Sequence, residues 1–581
     1  MNTTRSWFGD SVIGERFPAW TRGNAADVFP EPFSPLGQTL VMRGGLAPGL
    51  RDAYIAIGAL EYDEYEDPQA PYLFKVFGGY PYNPLTLTRI FGARMPGGSP
   101  EMIDRAFFDE RDEVPPYEYQ EWHDSPRAEA KLAESMAWAM STDALPALDL
   151  DLELTRQLRA GRPDLTTLTD AGLHARARAM APYVQQTFEN AMSVSTLSSL
   201  GTGALGAICE GLGDPTLAIR LLAGIEVDSG APAHAMWALG RQARASAAVS
   251  AAFDAGPDEV LALLAADGGA DARAFLDAFD TFLAEHGARG QNEYDPRSPS
   301  WEVRPRVALA AIDLMRRSDE AQAPAVRQAA AVAERDRVAA EVREKIAGDA
   351  ETAGLFEAAM QSARLFLAGR ERAKTNVVRV INEVRVAMYE YGRRLAERGV
   401  IDDVEQVFMV TNDELDALRA DPEAFRPVIA ERWEQYRQLF DYEPVFVVNG
   451  TVPSLDAMTR RDSKAVATAS VGTALQGAAG SGGVATGRAR IVLDAADPEG
   501  LEPGDVLVAP QTDPSWVPLM VPAAAVVVNV GAQGSHAMIV SRELGIPCVV
   551  SVADATSSIP DGALVTVDGT TGVVTIVDAP N

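Results

Sequence analysis

The stretch Gly531–Pro547 constrains the fold of this chain more than any other. The apolar run Ala524–Val530 ends in a short Gly-rich turn, a helix opens at Ser535, and Gly545-Ile546-Pro547 closes it. A short apolar run bounded by turns reads as a buried strand, and Gly then Pro beyond a periodic segment stop a helix. The stretch therefore predicts strand, loop and helix, with one imidazole, His536, on the first helical turn. Backbone N–H groups there have no intrahelical partner, and the helix dipole adds partial positive charge. Such a place holds an anion well. Two readings follow: a structural histidine behind a Ser535 N-cap, or a histidine that carries a phosphoryl group with Gly534 and Ser535 as its phosphate loop.

Composition narrows the partners. The 581 residues carry a formal net charge of −31, which argues against nucleic acid or an anionic membrane surface as partner. With 47% hydrophobic and 23% charged residues, the chain reads as ordinary globular protein of three or four domains. Two cysteines, Cys209 and Cys548, lie among apolar neighbours and read as buried thiols in a reducing compartment. Five histidines without close Cys/His spacing give no dedicated metal site. The amino terminus lacks the apolar core of a signal peptide, and no apolar run reaches membrane-spanning length, so the expectation is a cytoplasmic protein.

Along the chain, four regions are expected. Residues 1–125 are rich in Pro, Gly and aromatics and read as a mixed α+β part. Their aromatic cluster includes Tyr72, Phe74, Phe77 and Tyr80, either a small core or an apolar wall for a ring-shaped acceptor. Residues 126–447 carry helical periodicity, with amphipathic helices expected at 126–141, 215–224, 234–253, 257–265 and 271–286. Two long helices are expected at about 323–347 and 351–398, and a short strand followed by a capped helix at 407–415. Residues 448–483 turn small and polar and read as a linker; a flexible tether of about twenty residues reaches roughly 25 Å. Residues 484–581 switch to strand patterns with turns at Pro503-Gly504, Asp561-Gly562 and Asp568-Gly569, a compact α/β domain.

Two other segments carry candidate chemistry. Arg370 and Lys374 lie four apart on one helix face just after Gly369 and could clamp a phosphate, though a solvated basic face has the same spacing. The loop His286-Gly-Ala-Arg289-Gly-Gln-Asn-Glu293 holds residue types fit for proton or phosphate work. Arg289 is a candidate phosphate or acceptor contact, and His286 or Glu293 a candidate base for a hydroxyl. A loop held by its own salt bridges would look the same.

The run Gly531-x-x-x-Ser-His536-x-x-Ile-Val-x-Arg-Glu-Leu-Gly-Ile-Pro547 resembles the signature of the swivelling phosphohistidine domain of enzymes that use phosphoenolpyruvate, and residues 484–581 are similar to that domain throughout. Arg370-Glu-Arg-Ala-Lys374, the loop from His286 and the segment Trp20–Leu36 resemble the acceptor domain of rifampicin phosphotransferase-like proteins. Members often carry a second histidine where this chain has Ala288. The resemblance implies a multidomain architecture, a mainly helical acceptor domain followed by a mobile α/β carrier domain. It also implies a phosphoryl relay in which His536 is loaded at one place and unloaded at another.

No Walker-type loop occurs in these residues, and nothing in them resembles an ATP-grasp region. The layout is similar to the larger subunit of two-subunit aryl-phosphate synthases. That likeness implies Mg-ATP bound on a separate ATP-grasp partner subunit, a small phenolic acceptor, and AMP and inorganic phosphate as further products. Two alternatives stand beside it: the same chemistry on a larger hydroxylated compound such as a rifamycin-like antibiotic, and a non-enzymatic phosphohistidine carrier.

Overall fold

The helical periodicity is realised nearly where it is expected. In a computed structural model of the chain, helices run Pro126–Ser141, Thr216–Leu221, Ala231–Ala245, Ala247–Asp254, Val260–Asp267 and Ala270–His286. The region expected as one helix over 234–253 breaks at Ser246, whose hydroxyl accepts from Val249 N–H as the N-cap of a new helix. The two long helices are Pro324–Ile346 and Ala350–Glu397, the second 48 residues long and unbroken at Gly369. The structure describes residues 9–10, 12–65, 72–108, 111, 113–455, 458–461, 468–495, 497–498, 500–531 and 535–579.

The chain divides into two units. The first comprises residues 1–198, 292–298 and 373–465. Its four-stranded antiparallel sheet has the order Lys75–Phe77, Tyr80–Pro84, Ala19–Thr21, Val447–Asn449. Trp20, Phe77 and Tyr82 are buried along this sheet, and helices such as Ala47–Ile57 and Ala181–Leu197 enlarge the core. The strand expected near Val407 does not form; Val404–Met409 is a 3-10 turn capped by the Asp403 side chain. Asp403 offers the backbone a local hydrogen bond that competes with strand pairing.

The second unit comprises residues 199–291, 299–372 and 466–581. It contains the carboxy-terminal sheet, whose strands we number β1 (Ala474–Gln476), β2 (Ala478–Ser481), β3 (Val484–Ile491), β4 (Val506–Ala509), β5 (Ala525–Val528), β6 (Cys548–Val550), β7 (Leu564–Asp568) and β8 (Val573–Asp578). Their spatial order is β1-β8-β7-β3-β4-β5-β6-β2. The pairs from β3 through β6 are parallel, and antiparallel strands extend both edges. β4 and β5 are buried at every position, as a parallel strand covered on both faces should be.

One expectation is corrected here. Much of the linker proposed at 448–483 is ordered sheet: β1 and β2 lie within it, and Ala469 N–H donates to the Ser558 carbonyl. The small residues serve close packing, not flexibility. A Cβ on Gly477 would fall 2.5 Å from the Val550 carbonyl oxygen, and one on Gly480 2.8 Å from that of Cys548. Residues 456–457 and 462–467 of the proposed linker lie outside the described residues.

The most apolar 18 residues within Asp170–Gly211 have a mean hydropathy of 1.2. That region consists of three helices, and its Val184, Phe188, Val194, Leu205 and Ile208 side chains are buried.

Candidate functional site

His536 opens the nine-residue helix His536–Leu544, and Ser535 is its N-cap in extended conformation. The helix ends at Gly545, in the left-handed region at φ 62°, where Ile546 N–H bonds back to the Ser541 carbonyl. The helix follows β5, so His536 lies beyond the carboxyl ends of the parallel strands. Ligands of open α/β sheets gather at that edge. Two neighbouring strands deliver further polar groups there. After β4, Thr512 places its hydroxyl 3.1 Å from His536 Nδ1. Asp513 accepts from Ser515 N–H at 2.8 Å and from the Ser515 hydroxyl, which fixes the turn that carries Thr512. After β6, the Ser551 hydroxyl donates to the Gly531 carbonyl and holds the start of the histidine loop.

The imidazole is 9% exposed, Ser535 7% and Thr512 7%. Ser535 makes no side-chain cap hydrogen bond, so its hydroxyl adds to the first-turn N–H groups as donors for an anion. Gly534 lies outside the described residues. Thr512 thereby joins the candidate site, which the sequence expectation left without it; its signal was a polar turn directly after a fully apolar strand.

The histidine domain shares a core with helices of its own unit. Trp516, Val517 and Met520 cluster with Met236, Ile312 and Met315. Arg327 donates to the Ala523 carbonyl, and Gly224 N–H to that of Arg542. In the same unit a groove of about 970 Å³ lies between the two long helices, lined among others by Arg335, Arg343, Met360, Arg364 and Leu365.

The remaining candidates fall into different surroundings. Glu293 and Lys374 are brought together in the first unit, with Oε1 and Nζ 3.6 Å apart and Glu293 almost fully buried. The rest of 292–298 is firmly held. The Asp295 carboxylate accepts from Ser34 N–H at 2.8 Å and from its hydroxyl at 2.6 Å. Arg297 pairs with Glu31 and Glu405, and the buried Arg385 guanidinium donates to the carbonyls of Glu293, Asp295 and Ser298. In the second unit, His286 ends its helix against Phe282, and Arg289 is buried with its carbonyl accepting from Trp301 N–H. Arg370 and Lys374 are half-buried on the one continuous helix.

The aromatic wall is corrected. Phe77 is fully buried against Trp20 and Tyr82, and Tyr80 lies under the Arg22 guanidinium with its hydroxyl donating to the Leu439 carbonyl. Phe74 packs between Phe29 and Phe188. These rings fill the core of the first unit, because strands as short as Lys75–Phe77 bury both faces. Tyr72 alone among the four is half-exposed, near Arg43.

Comparisons with known proteins match both a helical stretch and the carboxy-terminal sheet region. Residues 188–371 match the family model of the rifampicin phosphotransferase fourth domain, and residues 501–572 that of the mobile domain of PEP-utilising enzymes. Rifampicin phosphotransferase of Streptomyces sviceus is 31% identical over 319 residues, 53% of this chain and 35% of that protein. An uncharacterised protein of Mycobacterium tuberculosis is 41% identical over 213 residues, 36% of this chain and 24% of its own length. Phosphoenolpyruvate synthase of Aeropyrum pernix is 50% identical over 101 residues, 17% of this chain and 12% of that protein. The chain thus spans about a third or less of the length of these relatives. Residues 501–572 are thus similar to the mobile domain of PEP-utilising enzymes, and residues 188–371 to the fourth domain of rifampicin phosphotransferase.

Proposed function

We propose that this chain is a phosphotransferase that carries a phosphoryl group on His536 and passes it to an aryl hydroxyl. The observation that carries the reading is the seat of His536, at a helix N-terminus beyond the parallel strands with Nδ1 engaged by Thr512. Phosphorylation at Nδ1 would cost that hydrogen bond, so Nε2 is the nitrogen that takes the group. In loading, the Nε2 lone pair attacks the β-phosphorus of ATP as its bond to the AMP oxygen breaks and AMP leaves, with the γ-phosphate released to water as inorganic phosphate; Nδ1–H donates to the Thr512 oxygen, which steadies the imidazolium character that develops. First-turn N–H groups and the Ser535 hydroxyl stabilise the phosphoryl oxygens, since such transfer depends on position and electrostatics. In unloading, the acceptor oxygen attacks phosphorus in line, the Nε2–P bond breaks, and its electron pair returns to the ring.

Arg370 and Lys374 are the proposed cations for the phosphate in flight, with Arg289 as a further contact. Glu293 or His286 is the proposed base for the acceptor proton. The pairing of Glu293 with Lys374 favours Glu293, because it sets this carboxylate beside the ammonium proposed to hold the phosphate. The proposed donor is Mg-ATP on a separate ATP-grasp partner subunit, and the products are an aryl phosphate, AMP and inorganic phosphate. A second acceptor class, a larger hydroxylated molecule of rifamycin type, draws support from the similarity to rifampicin phosphotransferase over 53% of the chain.

The test uses the chain, a co-purified ATP-grasp protein, β-labelled ATP, and panels of phenols and rifamycins. The reading expects acid-labile label on the protein that a phenol discharges. Discharge by rifamycins alone would replace the acceptor class, and label that no hydroxyl compound removes would overturn the transferase reading. Arg370→Ala or Lys374→Ala should load normally and transfer at least tenfold more slowly. Impaired loading in either variant would put the residue in the other half-reaction.

A further inference from the structure

The seventh residue beyond His536 on its helix is Glu543, and the function above leaves it unused. Its side chain is buried at 2% exposure against the helical part of the same unit. The approach is close enough to require glycine opposite. A Cβ on Gly230 would fall 2.3 Å and 2.4 Å from the two carboxyl oxygens of Glu543. Among the described residues Oε2 has no hydrogen-bond partner, and Val227 N–H is the donor to the carboxyl.

The charges around it have the wrong sign for a carboxylate. Glu226 and Asp228 face Glu543 from the loop before helix Ala231–Ala245, and Glu371 faces it from the long helix. The nearby cations are committed elsewhere. Arg372 is 3.7 Å from Asp228, and Arg335 pairs with Asp336 and donates to the Gly224 carbonyl. Arg327 donates to the Ala523 carbonyl, and Arg542, on the histidine helix itself, directs its Nε to the Gly480 carbonyl. A buried anion without a cation is costly, and a neutral acid in its place is not.

We propose that Glu543 is a proton-held latch: the histidine domain rests on its helical neighbour with this carboxyl neutral, and loss of the proton frees the domain to move. Burial first, and then the repulsion of Glu371, Glu226 and Asp228, holds the proton on Glu543 well above the usual carboxylate range in this pose. In the released domain the carboxyl meets water and returns to its ordinary value. The resting pose is therefore fully favoured below that ordinary range. It weakens as pH rises from there through the raised value, by about tenfold per pH unit for one proton. The latch rests on the mobility of the domain and not on phosphate transfer by His536.

Spin labels on Leu263→Cys and Leu493→Cys test this in the full chain. Both positions are exposed, one on the helical part and one on the histidine domain, and the native Cys209 and Cys548 are buried. The expected result is one interlabel distance at pH 5 and a growing second population towards pH 9. Glu543→Gln should hold the pH 5 distance throughout. Glu226→Gln, an exposed change that removes one repelling charge, should leave a larger resting fraction at pH 9 than the unsubstituted chain has. A distance distribution unchanged between pH 5 and 9 in the unsubstituted chain would overturn the latch while label on His536 stood. So would a Glu543→Gln protein that opens with pH like the parent. Loss of the phosphohistidine reading would conversely leave these distances unchanged.

Discussion

Two buried histidine regions in this molecule have opposite chemistry. His174 lies in the middle of helix Asp170–Ala179, 1% exposed, with its ring edge-on to Tyr391 at 4.4 Å. Neither of its nitrogens has a hydrogen-bond partner among the described residues. Burial, helped by the Arg178 charge, pulls its pKa down to about 4. His536 is buried almost as well, yet it stands at a helix N-terminus, beyond the strand ends, with Nδ1 held by Thr512. Burial alone makes an imidazole inert. A hydroxyl beside one ring nitrogen and a helix N-terminus at the same place make it a candidate carrier.

The largest effect that separates the two is His536→Ala. All acid-labile label should vanish, while the thermal transition of the chain moves little, because the ring lies at a helix start and not inside a core. Residual label of full size would mean that another group is loaded, and the comparison would collapse.

His174 should move stability and leave labelling alone. Its folded value lies below the ordinary one, so the unfolded chain binds a proton that the native core refuses. Stability is then complete above about pH 6.5 and declines as pH falls towards about 4, by up to about 3 kcal/mol. His174→Phe keeps the ring contact with Tyr391 and removes the proton site. Urea midpoints at pH 7 and pH 5 should differ less in this variant than in the parent. An equal difference in both would show that His174 does not titrate as its burial requires.

These two histidines also show what a sequence can disclose. His536 was legible because its neighbours form a local pattern: an apolar strand, a polar turn, a helix and a Gly-Ile-Pro stop, all within a few residues. Helices such as Pro126–Ser141 were legible for the same reason, with Ser125 capping the first turn and Pro126 at its start. The illegible parts depend on distant partners. The polar run at 468–483 looks like a tether until its strand pairing is known: β2 lies along β6 and β1 along β8. The loop 292–298 offers reactive side chains, but Ser34 and Arg385 hold it from far away in the chain. The rings at 74–80 are equally suited to a wall or a core, and only the Trp20, Phe29 and Arg22 that cover them decide it.

The smallest expected effect is also the most selective one, at Thr512. Thr512→Val keeps the shape of the side chain and removes only the oxygen 3.1 Å from His536 Nδ1. The valine leaves the helix, the strand ends and the first-turn donors in place, so it should lower the loading rate by about tenfold, the worth of one hydrogen bond. Thr512→Ser should restore most of that rate. Nitrogen-15 shifts of the imidazole give a second measure that mere misfolding would not mimic. The ring of the parent should be dominated by the tautomer with its proton on Nδ1, and the valine variant should become a mixture. If the tautomer is mixed in both proteins, then Thr512 does not set it, and what distinguishes His536 from His174 is reduced to the helix N-terminus alone.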